Sequence, residues 1–141
     1  FITKGNGFFV TKSYGKIQIV LYNYEHFNHL FASGETFDMT YTERYTPFPK
    51  LGKKDLTLKL ENIPAEKCTI KEHIINQEFG SAFDKWLEMG ACDLDKEDID
   101  YLKNASAPKI VKYDMKIDNN TLKLSFILSP LEVRLIEIFL K

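Results

Sequence analysis

Basic charge in excess, clustered cysteine and long apolar runs are all missing from this sequence, and each absence removes a class of function. Its 19 Lys and Arg are offset by 20 Asp and Glu, whereas a domain that grips a phosphate backbone carries a basic surplus or stripe. Direct nucleic-acid contact is therefore not expected from these residues. Cys68 and Cys92 are the only cysteines, too few for a disulfide scaffold and too sparse for a zinc site. Both are expected as free thiols, Cys68 buried in a strand-like run. No apolar stretch approaches the roughly 20 residues that cross a bilayer, and no export leader is expected. A membrane is thus not an expected partner, and a cytoplasmic location is expected. Glycine-rich phosphate loops and nucleophile-elbow serines are also missing, and no cofactor, metal or catalytic residue is assigned.

What is present is a folded domain. The chain is 44% hydrophobic and 13% aromatic, well outside the composition of disordered segments, and 141 residues suffice for a single core. It opens "FITKGNGFFV" without methionine, already strand-like, so a single domain over 1–141 belonging to a longer protein is expected.

Hydrophobic alternation dominates. "GFFVTK", the turn "SYG" and "KIQIVLYNY" (7–24) read as a hairpin. Ile17, Ile19 and Leu21 share one face and Val20, Tyr22 and Tyr24 the other, which places this strand centrally. "LTLKLEN" (56–62) puts Leu56, Leu58 and Leu60 inward, and "CTIKEHIIN" (68–76) is expected to return as its partner. "KIVKYDMKID" (109–118), a tight turn at Asn119-Asn120 and "TLKLSFILS" (121–129) predict a further hairpin. "EVRLIEIFLK" (132–141) fits helix or strand by period; its β-branched content favours strand. Six to eight antiparallel strands close best as two packed sheets, so the expected class is all-β, an antiparallel β-sandwich with two short inserted helices.

Those helices are predicted at about 81–90 and 95–105. Ser81 caps the first with Asp84 in its opening turn; Phe83, Trp86 and Leu87 form an apolar stripe; Gly80 and Gly90 punctuate its ends. A helix this short is expected to be held by burying Phe83 and Trp86 against the sheets. In the second, Asp95 or Asp93 starts the helix, and Ile99 and Leu102 face inward. Between 25 and 52 the period is lost, apart from a weak strand pattern in "DMTYTERYT" (38–46).

Few constellations suggest chemistry. His26 and His29 lie three apart beside Glu25, but no third ligand accompanies them, so exposed loop histidines are the simpler reading. Asp93, Asp95, Glu97, Asp98 and Asp100 suit a helix start better than a carboxylate pair straddling a glycosidic bond. Glu78 is the acid in the least routine position, with nothing to position a partner. Phe27, Phe31, Phe37, Tyr41, Tyr45 and Phe48, with His26 and His29, are expected to form an interdomain surface or, failing that, a sugar-stacking one.

The blocks "NQEFGSAFDKWLEMGA" (76–91) and "DIDYLKNASAP" (98–108), with "KIQIVLYNY" and "SPLEVRLIEIFL", resemble the tail of family thirty-nine glycoside hydrolases. That family includes bacterial β-xylosidases and is related to α-L-iduronidase. The resemblance implies an accessory β-sandwich beside a β/α barrel that holds the catalytic glutamates, none of which has a counterpart here. The wording is closer to a branch fused to AraC-type transcriptional regulators than to the xylosidases. It implies an adjoining barrel of the same chain as partner and a sugar ligand for the whole protein, and it leaves a homo-oligomer open.

Overall fold

The computed structural model describes residues 3–34 and 40–141. Along them run β1 (Thr3–Gly5), β2 (Phe8–Ser13), β3 (Lys16–Tyr22), α1 (His29–Ser33), a 3₁₀ turn (Tyr41–Glu43), β4 (Lys54–Leu60) and β5 (Lys67–Ile75). Then come α2 (Ala82–Glu88), α3 (Lys96–Ala105), β6 (Lys109–Lys116), β7 (Leu122–Leu128) and β8 (Val133–Leu140). One sheet has six strands in the order β1-β2-β3-β8-β5-β6, and a smaller sheet pairs β4 with β7. Every pairing is antiparallel. The molecule is a mainly-β sandwich.

The core lies where the two sheets face each other. Ile17, Ile19 and Leu21 of β3, Ile136 and Ile138 of β8, and Cys68 and Ile70 of β5 meet Leu122, Leu124, Phe126 and Leu128 of β7. β3 is central, as its two apolar faces require, and β8 is a strand, seated between β3 and β5. Cys68 and Cys92 are both free, the first buried and the second exposed.

Two expected pairings are corrected. β4 does not pair with β5 but with β7; β5 is flanked by β6 and β8. The reason lies in the side chains: Cys68, Thr69 and Ile70 are buried in succession, so β5 uses both faces and needs neighbours on both edges, whereas one-sided β4 suits the smaller sheet. Asn119 and Asn120 do form the tight turn, with φ of 49° and 57° and a bridge from Asp118 to Thr121. The strands it joins then diverge, β6 to the large sheet and β7 to the small one. Turn chemistry sets the reversal; burial sets the partner.

The 40–46 stretch is no strand. Thr40 and Glu43 cap a 3₁₀ turn there, with Glu43 Oε2 accepting from the Thr40 amide at 3.0 Å, because short polar side chains satisfy the backbone locally. α1 was not expected at all; Asn28 caps it, accepting from the Phe31 amide at 2.8 Å. Among the described residues there are therefore three short helices rather than two.

Both long connections leave the same end of the sandwich. Tyr22, Val133 and Ile75 are directly in register across β3, β8 and β5, so the 23–53 and 76–108 segments start side by side. Leu124→Ala should cost about 2–5 kcal/mol in a denaturant melt, the range for emptying a sealed core site. Lys123→Ala, on the opposite face of the same strand, should stay within about 0.5 kcal/mol.

Candidate functional site

At this end the two long connections are tied together by one carboxylate. Ser81 caps α2: the Asp84 amide donates to Ser81 Oγ at 3.3 Å, and Ser81 Oγ donates to Asp84 Oδ2 at 2.5 Å. Asp84, only 5% exposed, then receives groups from the other connection. Arg44 donates to Oδ1 through Nε at 3.0 Å and Nη2 at 2.5 Å, and the Tyr45 hydroxyl lies 2.8 and 2.9 Å from the two oxygens. The Arg44 guanidinium also sits over the Tyr45 ring, 4.7 Å from its centroid. Burial pushes the Asp84 carboxyl upward, but the Ser81, Arg44 and Tyr45 hydrogen bonds and the Arg44 charge outweigh it and hold the pKa below its ordinary value. Tyr45 is raised, by burial first and then by its bond to Asp84.

The clamp turns α2 away from its expected orientation. Phe83 is 49% exposed and Trp86 is half-buried, so the Phe83–Trp86–Leu87 stripe is not a plug sealed against the sheets. Successive helical residues point about 100° apart, and a seven-residue helix that directs Asp84 inward must swing Phe83 outward. The paired carboxylate wins because leaving its partners unmatched costs more than exposing a ring. Gly80 remains a structural requirement: its φ is +80°, and a Cβ there would lie 3.3 Å from the Ile75 side chain. Gly90, at φ +88°, follows the last turn of α2 in the left-handed conformation expected.

Aromatic rings gather around the clamp. Tyr41, Phe83 and Trp86 form a triangle with centroids 5.7–6.3 Å apart, and the Trp86 indole N–H donates to the Cys92 carbonyl at 3.0 Å. Phe27 contacts Phe31 at 4.8 Å and Phe48 at 4.7 Å, and Phe48 lies 6.4 Å from Tyr45. Pro47, fully buried, anchors this second group by accepting from the Asn28 amide at 2.7 Å. The expected surface thus divides into two ring clusters on either side of Asp84. Phe37 lies outside the described residues.

The histidines are not brought together as ligands. His26 stands edge-on to Tyr24 at 4.8 Å, His29 opens α1, and among the described residues no three metal-capable side chains cluster. The acidic run is a helix start: Asp95 caps α3 and accepts from the Asp98 amide at 2.9 Å, while Asp98 accepts from the Asp95 amide at 3.1 Å. In α3 Leu102 is buried but Ile99 is exposed, so only one of the two expected inward residues faces in. Glu78 is exposed, its amide donating to Asn76 Oδ1.

Sequence reasoning missed a second polar cluster between the sheets. Arg134 donates to Glu72 at 3.0 Å and to Glu132 at 2.8 and 2.5 Å. Tyr113 donates to the other Glu72 oxygen at 2.7 Å, and Asn76 and the Ser129 amide each donate to Glu132 Oε2 at 3.1 Å. Burial, then the bond to Glu72, raises the Tyr113 pKa well above normal. The signal was legible: Arg134 has the parity of Ile136 and Ile138, and Glu72 that of Ile70 and Ile74. All four carboxylate oxygens of Glu72 and Glu132 thus accept hydrogen bonds within the cluster.

No family model matches the chain. An uncharacterized HTH-type transcriptional regulator of Staphylococcus aureus strain COL is 28% identical over 130 residues, covering 92% of this chain and 16% of the regulator. In fold the chain is similar to the GH39 enzyme from Xanthomonas axonopodis pv. citri (TM-score 0.72, 11% identity, 97% of this chain and 26% of that one). It is equally similar to a monomeric β-xylosidase from Caulobacter crescentus CB15 (TM-score 0.72, 14% identity, 96% and 26%). The chain therefore has the fold of a region of GH39 enzymes and spans about a sixth of the regulator it matches. Among the described residues no helix is long and apolar enough to cross a membrane.

Asp84→Ala should cost about 3 kcal/mol at neutral pH, because it strands Arg44 and Tyr45. A depressed carboxyl contributes fully above its unfolded pKa, about 3.9, and loses that contribution as pH falls through the lower folded value. The gap in denaturation midpoint between wild type and D84A should therefore narrow only below about pH 4. Trp86→Ala, half-exposed, should cost about 1 kcal/mol; a loss several times larger would restore the plug.

Proposed function

We propose that this chain is the non-catalytic accessory β-sandwich of a β-xylosidase-like module within an AraC-type, cytoplasmic transcriptional regulator. In this reading its aromatic end docks on an adjoining β/α barrel of the same polypeptide, and the assembled pair senses a sugar. The observation that carries it is the Asp84 clamp, which ties Arg44 and Tyr45 to α2 beside the exposed rings of Tyr41 and Phe83. Exposed rings held rigidly on a polar foundation suit an interface, since little conformational freedom is lost on docking. The commitment of Glu72, Glu132 and Asp84 to structural partners supports a non-catalytic role for these residues. Similarity to a regulator across nearly the whole chain supports the regulatory context.

A second reading, the same domain in an active β-xylosidase, is supported by the solved structures of like fold. A third, a free carbohydrate-binding module, draws on the exposure of Tyr41 and Phe27. In the whole polypeptide, Tyr41→Ser with Phe83→Asp should uncouple the sandwich and split one thermal transition into two. In the isolated sandwich the same pair should change stability by no more than about 1 kcal/mol. Titration of the sandwich with xylo-oligosaccharides should leave its tryptophan fluorescence flat. Saturable quenching would favour the binding module, and an unchanged single transition would refute docking through these rings.

A further inference from the structure

The small sheet is open at its edge. On β7 the inward residues Leu122, Leu124, Phe126 and Leu128 are all buried, yet Leu56, Leu58 and Leu60 on the same face of β4 are only part-buried. β4 has β7 on one side and no further strand on the other among the described residues. Beside it runs an open groove of about 390 Å³, walled by Thr3, Val10, Lys12 and Ile17 of the large sheet and by residues 59–63. Unpaired edges of this kind accept another strand, and the side chains that border them decide which one.

We propose that β4 pairs with β4 of a second copy of this chain, antiparallel about Thr57, making a continuous β7-β4-β4-β7 sheet across a two-fold axis. Residues 53–61 read KKDLTLKLE. Laid antiparallel on itself about Thr57, this segment sets Leu56 against Leu58, Asp55 against Lys59 and Lys53 against Glu61. Symmetry doubles each pair, giving four contacts between opposite charges. Asp55, Thr57 and Lys59 are exposed on the outer face, so those charges meet at the surface, while on the inner face Leu56 meets Leu58 and Leu60 lies against the Lys54 stem.

The register is specified as well as permitted. Opposed residues must share a face, so the neighbouring alignments shift by two residues. Centring on Leu56 sets Lys53 against Lys59, and centring on Leu58 sets Asp55 against Glu61. Both oppose like charges, which is unfavourable in directly paired strands. The other free edge has no such symmetry: centring β7 on Ser125 sets Lys123 against Ile127 and Thr121 against Ser129. Lys59 now pairs with its own neighbour Glu61, both half-exposed, so exchanging that contact for the partner's Asp55 gives up little. The pairing needs nothing from the aromatic end and stands or falls apart from the docking proposed there.

Sedimentation equilibrium of the purified protein tests this directly. The wild type should dimerise, and Lys59→Asp, which sets aspartate against Asp55 twice, should weaken the dimer roughly tenfold or more. Asp55→Lys with Lys59→Asp should restore it, because both charges invert together. Thr57→Cys in a Cys92→Ser background should form a disulfide-linked dimer on oxidation, the symmetric strand pair lying within disulfide reach. A monomer at every concentration, a dimer indifferent to Lys59→Asp, or no cross-link in a folded Thr57→Cys variant would overturn the proposal. The last result would assign the groove to another segment or partner.

Discussion

The row of four apolar side chains on β7 is the constraint from which the rest of the structure follows. Leu122, Leu124, Phe126 and Leu128 project from one face of a seven-residue strand and meet the inner faces of β3, β8 and β5. Removing apolar surface from water contributes roughly 25 cal/mol for each Å². Among the described residues the smaller sheet has two strands, so this row covers the core with only the part-buried Leu56, Leu58 and Leu60 of β4 beside it. Strands toward the margins, β1 and β4 on one side and β6 on the other, are accordingly exposed or only part-buried. Polar devices then settle what the core leaves undecided.

Two such devices do different work. The Glu72–Arg134–Glu132 cluster sits between the sheets and joins β5, β8 and the turn before β8. A buried acid with no partner would be costly, so this cluster penalises any slip of β8 against β5. The Asp84 clamp lies outside the sheets and joins segments far apart in sequence. It determines which side of α2 faces solvent, and so which rings of that helix are exposed. The first protects register and the second shapes a surface.

Much of the sandwich was legible because period-two alternation is a direct print of burial. β3, β4, β6 and β7 could be read from that alternation, β8 only with the help of its β-branched content, and the caps at Ser81 and Asp95 from local chemistry. Strand partners could not be read in the same way. A turn such as Asn119-Asn120 fixes its own dihedrals, not the sheet that its flanking strands join, and β4 and β5 were mispaired for the same reason. α2 failed differently: an amphipathic stripe predicts burial only when nothing stronger claims the helix, and Arg44, 40 residues away in sequence, claimed it. Arg134 was overlooked although its parity with Ile136 and Ile138 marked it as facing inward.

This contrast also bears on function. A fold resembling part of a glycoside hydrolase carries no chemistry by itself; chemistry needs an acid whose proton is free to move and a second group placed to receive what it acts on. The acids most withdrawn from water here, Glu72, Asp84 and Glu132, each accept from two or more donors. At Asp84 the Ser81, Arg44 and Tyr45 hydrogen bonds and the Arg44 charge outweigh burial and favour the ionised form. The partners that tie strands and connections together are thus the ones that occupy these carboxylate oxygens. What the surface presents is shape: the exposed rings of Phe27, Tyr41 and Phe83, and the edge of β4 with a charge order that matches its own reverse.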